Sequence, residues 1–563
     1  MKGKITILAM LFSLSIFSQS NLSNYLLGGS DVDYTYDHCF DSDGNFIVVG
    51  ITMGMDMYFT DTIGTPDVNN KNIFIRKYSP DMSTLISSTV ICGSGNDYCK
   101  SVDIDSQGNV FIAGHVYSSD PPITSNAYQT TNNSPSSYEA YIIKLNSNLD
   151  QMLSATYFGG EDKDYILKMR LDKNDNVVIV GNTRSATNIA TTGAYDETYG
   201  GSDETIFHFG DAYIAKFDNN LEHKLAATYI GDQGDEACYA LTINSDNNIA
   251  ITGGTTSANY PVTTNAFQTV KNSGYDIVLT VMDSNLTQLL HSTFVGGSGD
   301  DIAWDIAYNY DDQNYIIGIQ TGSSFTITGS VADPTANGGG DGMIIILDNL
   351  LENVNSATYV GGSQVDFVSS VYYTNNTIFY CGITESDDLT TSPNAYYPSY
   401  LDENNYADGF VGSINTDLSE FNYLSYFGGN NDDLIWRVSS HNNKIYINGN
   451  TMSSNIECDS TLKGTSDAII GVIENVYVSV NSILEENKIS VYPNPTSEYI
   501  NIEVNTQPIK NIQLFDISGK MVLNLPNISN RNYLKINISD LNKGLYTIVI
   551  NNETGMNKKI IIE

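Results

Sequence analysis

A glycine pair, or a close variant of it, followed by a short polar run and an acid occurs seven times in this chain. The copies are "YLLGGSDVDY" (25–34), "VICGSGNDY" (90–98), "TYFGGEDKDY" (156–165), "TYIGDQGDEA" (228–237), "TFVGGSGDDI" (293–302), "TYVGGSQVDF" (358–367) and "SYFGGNNDDL" (425–434). Their last acids are Asp33, Asp97, Asp164, Glu236, Asp301, Asp366 and Asp433, at intervals of 64, 67, 72, 65, 65 and 67 residues. A period of this size means one supersecondary unit packed against copies of itself.

Each period carries the same further pieces. A turn and an apolar strand ending in glycine follow the acid, as in "DSDGNFIVVG" (41–50) and "DSQGNVFIAG" (105–114). A third strand comes after a variable polar loop, as in "EAYIIKL" (139–145) and "DAYIAKF" (211–217), and a fourth runs into the next glycine pair. Four short strands joined by Asn, Asp, Gly and Ser turns predict one antiparallel unit per period. Such units bury both faces when ringed as the blades of a β-propeller. The chain enters with a fourth-strand piece, "SNYLLGG" (23–29), and the repeats stop after a third-strand piece, "DAIIGVI" (467–473). The expectation is an all-β, seven-bladed propeller over 21–475, its N-terminal strand completing the last blade.

Charge separates two regions. Of 65 acids and 26 bases in the chain, the last 76 residues hold six and eight and the first 20 hold none and two, leaving 59 against 16 in residues 21–487. A net charge of -39 argues against nucleic acid or an anionic membrane as partner, since both demand basic patches. "MKGKITILAMLFSLSIFSQS" reads as a signal peptide over 1–20: its apolar run from Ile5 to Phe17 is shorter than the ~20 residues of a membrane span. No other stretch is long and apolar enough for a transmembrane helix. After a linker at 476–487, alternating apolar residues from 488 to 563 predict a small β-sandwich. The six cysteines follow no metal spacing; a Cys92–Cys99 disulfide competes with a reading of small buried residues.

An acid in every copy is explained by what every blade shares: after a glycine turn, Asp accepts bonds from nearby backbone N–H groups and directs the next strand. Neighbouring acids such as Asp300 and Asp301 point to opposite faces of a strand and do not converge. The six histidines form no close cluster, and neither H-E-x-x-H nor G-x-S-x-G is present. No catalytic residue is assigned and no cofactor is required. Asp41, Asp43 and Asn45 have the oxygen chemistry of a calcium site, against the competing reading of a plain hairpin turn, because the later bidentate acid is missing. The sharpest candidates stand three residues past the repeated acid: Tyr36, Lys100, Leu167, Tyr239, Trp304, Ser369 and Trp436. Both tryptophans of the protein fall in this column. Tyr36, Tyr239, Trp304 and Trp436 are the expected ligand-binding residues, with packing between blades as the alternative.

Two resemblances follow from these pieces. "TYFGG" with its acid, "D-S-x-G-N-x-x-x-x-G", and the "N-A-[FY]" pieces at 126–128, 265–267 and 394–396 resemble the seven-bladed β-propeller repeat family of bacterial surface proteins. This implies the fold and an extracellular setting, with no agreed activity. The tail resembles the C-terminal type A sorting domain of the type IX (Por) secretion system, at Tyr492-Pro493-Asn494-Pro495, Gly519-Lys520, Gly544, Tyr546 and Lys558-Lys559. It implies the type IX machinery as partner and passage across the outer membrane to the surface or the medium. The functional expectation is a non-enzymatic module binding an extracellular glycan or protein. An extracellular polysaccharide-degrading enzyme with a loop-built site and a passive surface component are the alternatives.

Overall fold

The structure, a computed structural model, describes residues 21–54, 56–65, 68–201, 210–322, 325, 327, 329–401, 406–458, 461–474, 489–492, 496, 499–504, 509–516, 520–526, 528, 533–539, 541–550 and 557–562. The expected signal peptide and the 476–487 linker lie outside the described residues, as do Pro493, Asn494, Pro495 and Gly519. The chain divides into two compact units, Met1–Val476 and Tyr477–Glu563.

Among the described residues the first unit is seven antiparallel sheets, each begun by one of the repeated acids. Blade 3 is typical: Asp164–Leu171, Val177–Thr183, Asp211–Phe217 and Lys224–Ile230, paired in that order. The first strands of the other blades are Asp33–Phe40 (blade 1), Asp97–Ile104 (blade 2), Glu236–Ile243 (blade 4), Asp301–Asn309 (blade 5), Asp366–Thr374 (blade 6) and Asp433–His441 (blade 7). Blade 1 departs from the four-stranded expectation: Asp61–Gly64, in its long loop, pairs parallel with the outer strand Leu85–Cys92. The N-terminal Asn21–Leu26 pairs antiparallel with Asp467–Glu474 and completes blade 7.

The second and third strands of each blade read as near-continuous apolar runs because both faces are covered. Seven apolar clusters fill the seven junctions, each shared by consecutive blades. The one containing Phe46, Phe74, Tyr446 and Ile470 joins blade 1 to blade 7, so the sheets form a closed β-propeller.

The turn before each fourth strand adds a device with no signature in the apolar pattern. Leu149, Leu221, Leu286, Leu351 and Leu418 sit there at φ between 58° and 66°, each fully buried. A non-glycine residue in that region costs on the order of 1 kcal/mol, and the buried side chain offsets it. In four cases the leucine carbonyl also accepts from a neighbouring blade's loop: Tyr128 N to Leu221 O, Tyr195 N to Leu286 O, Phe267 N to Leu351 O and Ala332 N to Leu418 O, all at 2.8–2.9 Å.

The glycine-pair corner is architecture. Gly160 N donates to Asp164 Oδ2 at 2.8 Å, and Gly29, Gly297, Gly362 and Gly429 do the same to Asp33, Asp301, Asp366 and Asp433. Hydroxyls from the end of the second strand complete the set of donors, as Thr183 Oγ1 does to Asp164 Oδ1 at 2.5 Å. A second acid, from the third strand of the preceding blade, faces each of these: Glu139 faces Asp164, and Asp467 faces Asp33. Glycine is needed at the corner because a Cβ on Gly159 would lie 2.4 Å from Asp164 Oδ2 and 2.9 Å from Glu139 Oε1. Burial, with the neighbouring charge adding to it, raises Glu139 to about 8 and Asp33 to about 6. Two acids so placed disfavour each other's ionisation.

In the second unit, Ile489–Tyr492, Tyr499–Val504 and Tyr533–Asn537 form one sheet, and Met521–Leu525, Ile512–Asp516, Gly544–Ile550 and Asn557–Ile562 another. Ile500, Ile502 and Ile536 of the first pack with Leu514, Ile548 and Ile550 of the second, which makes a β-sandwich.

Candidate functional site

All seven inner strands carry a β-bulge at one position. The ladder to the second strand skips a residue between Thr35 and Asp37, Cys99 and Ser101, Ile166 and Lys168, Cys238 and Ala240, Ala303 and Asp305, Val368 and Ser370, and Ile435 and Arg437. The skipped residues are Tyr36, Lys100, Leu167, Tyr239, Trp304, Ser369 and Trp436, the column singled out in the sequence. A bulge leaves its extra residue out of the ladder and re-aims the side chains beside it.

After the bulge, Asp37, Ser101, Lys168, Asp305, Ser370 and Arg437 meet at the ring axis and form a floor. Lys168 Nζ of blade 3 meets Asp37 Oδ2 of blade 1 at 2.8 Å, past blade 2. Arg437 of blade 7 reaches Asp305 Oδ2 of blade 5 at 2.6 Å and Asp37 Oδ1 at 3.4 Å. Only side chains at the axis can join blades that are not neighbours. Ser101 Oγ donates to Asp37 Oδ2 and Ser370 Oγ to Asp305 Oδ2, both at 2.8 Å. Arg170 lies 3.8 Å from Asp37 Oδ2, on the far side of the floor. Burial opposes the charge of Asp37, but Lys168 and Arg437 outweigh it and hold the carboxyl well below the usual range. The same contest, won by Arg437, lowers Asp305. Burial, helped by the two guanidiniums, pulls Lys168 down to about 7. Beside the floor, the buried His38 bonds Asn448 and Ser439, and burial depresses it to about 4.

Several of the bulged residues touch round the ring. Lys100 Nζ lies 3.9 Å over the Tyr36 ring, and Tyr239 meets Trp304 with centroids 4.8 Å apart. Trp304 continues to Phe367 at 5.5 Å; its Nε1 is buried with no hydrogen-bond partner among the described residues. Trp436 stands apart, donating from Nε1 to Asn450 Oδ1 at 3.0 Å. The structure thus brings Tyr239 and Trp304 together and sets Tyr36 against a lysine. It also assembles groups that the sequence reading left unassigned. His115 stacks on Tyr98 at 5.2 Å and meets Tyr138 and Tyr165 edge-on at 5.3 and 4.9 Å, at the same end of the strands. The floor itself stands one position past the column that was read, as two acids and two bases in one register.

At the calcium candidates, Asp41 Oδ2 pairs with Lys77 Nζ at 2.7 Å, and its carboxylate also accepts from Asn45 N, Asn45 Nδ2 and Asp43 N. That is a closed Asx turn with an ion pair. Asp300 caps Tyr275 N at 2.9 Å while Asp301 serves the glycine corner, so the adjacent acids do diverge. Cys92 and Cys99 are not bonded to each other, and Cys99 Sγ donates to Gly50 O.

Residues 490–563 match the secretion system C-terminal sorting domain. The tail is a type IX sorting domain. Through that sorting domain the protein is exported to the cell surface or the extracellular space. Of the sorting-domain positions read from the sequence, Tyr492, Lys520, Gly544, Tyr546, Lys558 and Lys559 are described; Tyr546 is buried in the sandwich and donates to Asn542 O at 2.7 Å. No helix among the described residues is long and apolar enough to cross a membrane. No curated protein matches the chain. Among solved structures, the chain is similar to an ulvan lyase at 9% identity, covering 80% of this chain and 94% of that one with a TM-score of 0.40. It is similar to quinohemoprotein alcohol dehydrogenase from Comamonas testosteroni at 8% identity, covering 81% and 76% with a TM-score of 0.37. Hydrazine synthase of Kuenenia stuttgartiensis is similar at 7% identity, covering 66% and 79% with a TM-score of 0.34.

Proposed function

We propose that the propeller is a non-enzymatic binding module that takes an extracellular glycan, or a protein displaying apolar side chains, at the bulge-side mouth of the ring. The observation that carries this reading is the bulge itself. It recurs in all seven blades and sets Tyr36, Tyr239, Trp304 and Trp436 in one tier. The ion pairs of Asp37, Lys168, Asp305 and Arg437 stand one residue further along the same strands. Aromatic faces suit the flat apolar faces of sugars. Binding of the exported protein on a glycan array, lost in Trp304→Ala or Trp436→Ala, is the expected result. A parallel array with a chelator decides whether calcium takes part. Flat binding together with turnover of a polysaccharide would overturn the proposal.

One observation favours the second reading, a polysaccharide-degrading enzyme: buried His115 has an Nδ1 with no partner among the described residues and lies among three tyrosines. Among the described residues no acid orients this histidine in the manner of a triad, and a reducing-end assay on acidic and neutral polysaccharides tests it.

A further inference from the structure

Bases are scarce in the propeller, and eight of its 16 meet a carboxylate, Arg184 at 4.0 Å from Asp162 among them. Lys77, Lys144 and Lys216 meet Asp41, Asp105 and Asp172 at 2.7, 3.1 and 2.7 Å; Lys168, Arg170 and Arg437 serve the axis; Lys444 pairs with Glu474 at 2.6 Å. Lys71 and Lys100 have no carboxylate partner among the described residues. Both are half-buried on the bulge side, and both lie on tyrosines. Lys100 Nζ is 3.9 Å over Tyr36, and Lys71 Nζ is 4.8 Å over Tyr98 while donating to Tyr98 Oη at 3.0 Å. Their charges feel each other: burial, with Lys71 adding to it, lowers Lys100 to about 8. Asp97, the acid that begins this strand, is raised by burial to about 7. Two partly desolvated like charges without a counter-ion are costly in a domain otherwise rich in acids. The surroundings are aromatic: Tyr98 and Tyr138 adjoin them, and Tyr117, against Tyr138 at 5.5 Å, is 44% exposed.

We infer that Lys71 and Lys100 are the receptor for one anionic group, a carboxylate or a sulfate ester, of an acidic glycan whose sugar ring lies on Tyr36 and the tyrosines beside it. This rests on the binding-module reading and narrows its ligand. A sugar is favoured over an acidic peptide because the two cations are set on aromatic platforms, which stack on a pyranose face as they hold its charged substituent.

The test is calorimetry of the exported protein with four probes: hexagalacturonate, a sulfated dextran oligosaccharide, cellohexaose and hexaglutamate. An acidic oligosaccharide is expected to bind, with the carboxylated and sulfated arms telling which anion is taken. Lys71→Met and Lys100→Met should each weaken it roughly tenfold, and Lys100→Arg should retain most of the affinity. Thermal unfolding of the two methionine variants should match the parent, separating lost contact from lost fold. Equal binding of cellohexaose, insensitive to the lysines but abolished by Trp304→Ala, would overturn this inference and leave the binding-module reading standing. Hexaglutamate binding as tightly as the uronate would overturn the sugar assignment. No binding by any probe, with turnover of one of them, would overturn both.

Discussion

Lys168 and Asp37 meet at 2.8 Å across the axis of the ring although 131 residues separate them. The lysine side chain is fully buried, and its partner nearly so. Three cations and two carboxylates share this site, so removing one leaves an uncompensated charge in a low-dielectric interior. Lys168→Met should destabilise the protein by about 3–5 kcal/mol in urea denaturation. The double variant Asp37→Asn/Lys168→Met should lose less than the sum of the single changes. Full additivity would show that the pair does not hold the axis.

The acid corners set a pH dependence. Burial raises Asp97, Asp164, Asp211 and Asp433 to about 7, Asp33 and Asp366 to about 6, and Glu139 to about 8. Unfolded, these groups titrate near 4. The folded state therefore binds more protons between pH 4 and 8, and stability falls as pH rises through that window. The melting temperature is expected to decline from pH 5 to pH 8.5, and Glu139→Gln should flatten the decline. A melting temperature that climbs over this range would remove this account.

Leu286 combines a strained backbone at φ 59° with a fully buried side chain. Leu286→Ala keeps the strain and loses the burial, at about 2–5 kcal/mol. Leu286→Gly relieves the strain, so it should be less harmful relative to alanine than glycine usually is. Equilibrium denaturation of the two variants side by side makes the comparison.

Deleting Asn21–Leu26 leaves the edge of Asp467–Glu474 unpaired. An open apolar edge invites association. Limited proteolysis of the shortened protein should cut first within blade 7, and light scattering should detect oligomers. Unchanged cleavage would mean that the ring does not depend on this closure.

Much of the fold was legible before any coordinates. The period, the four pieces within it and the out-of-phase ends predict blades and their closure, because turn chemistry and strand patterning are local. The glycine-pair acid was legible for the same reason: one of its donors lies four residues away, at Gly160 N for Asp164. The bulge was not. Strict alternation along a strand gives no sign that Trp304 drops out of the ladder and that Asp305 then faces the axis. Nor does anything near Leu221 announce a left-handed backbone, because the compensation comes from packing against residues such as Tyr213 and Phe217 across the blade.

By itself the sequence determined a repeated β unit, the means of closing the ring and a tail that directs export, all written in short stretches whose physics is local. Tertiary structure alone decided which side chains share the axis and the mouth. Asp37, Lys168, Asp305 and Arg437 come from four different repeats, and their charges compensate one another only once the ring has brought them within 4 Å. Coulomb attraction and desolvation act through space, and a one-dimensional pattern carries no record of which copies will meet.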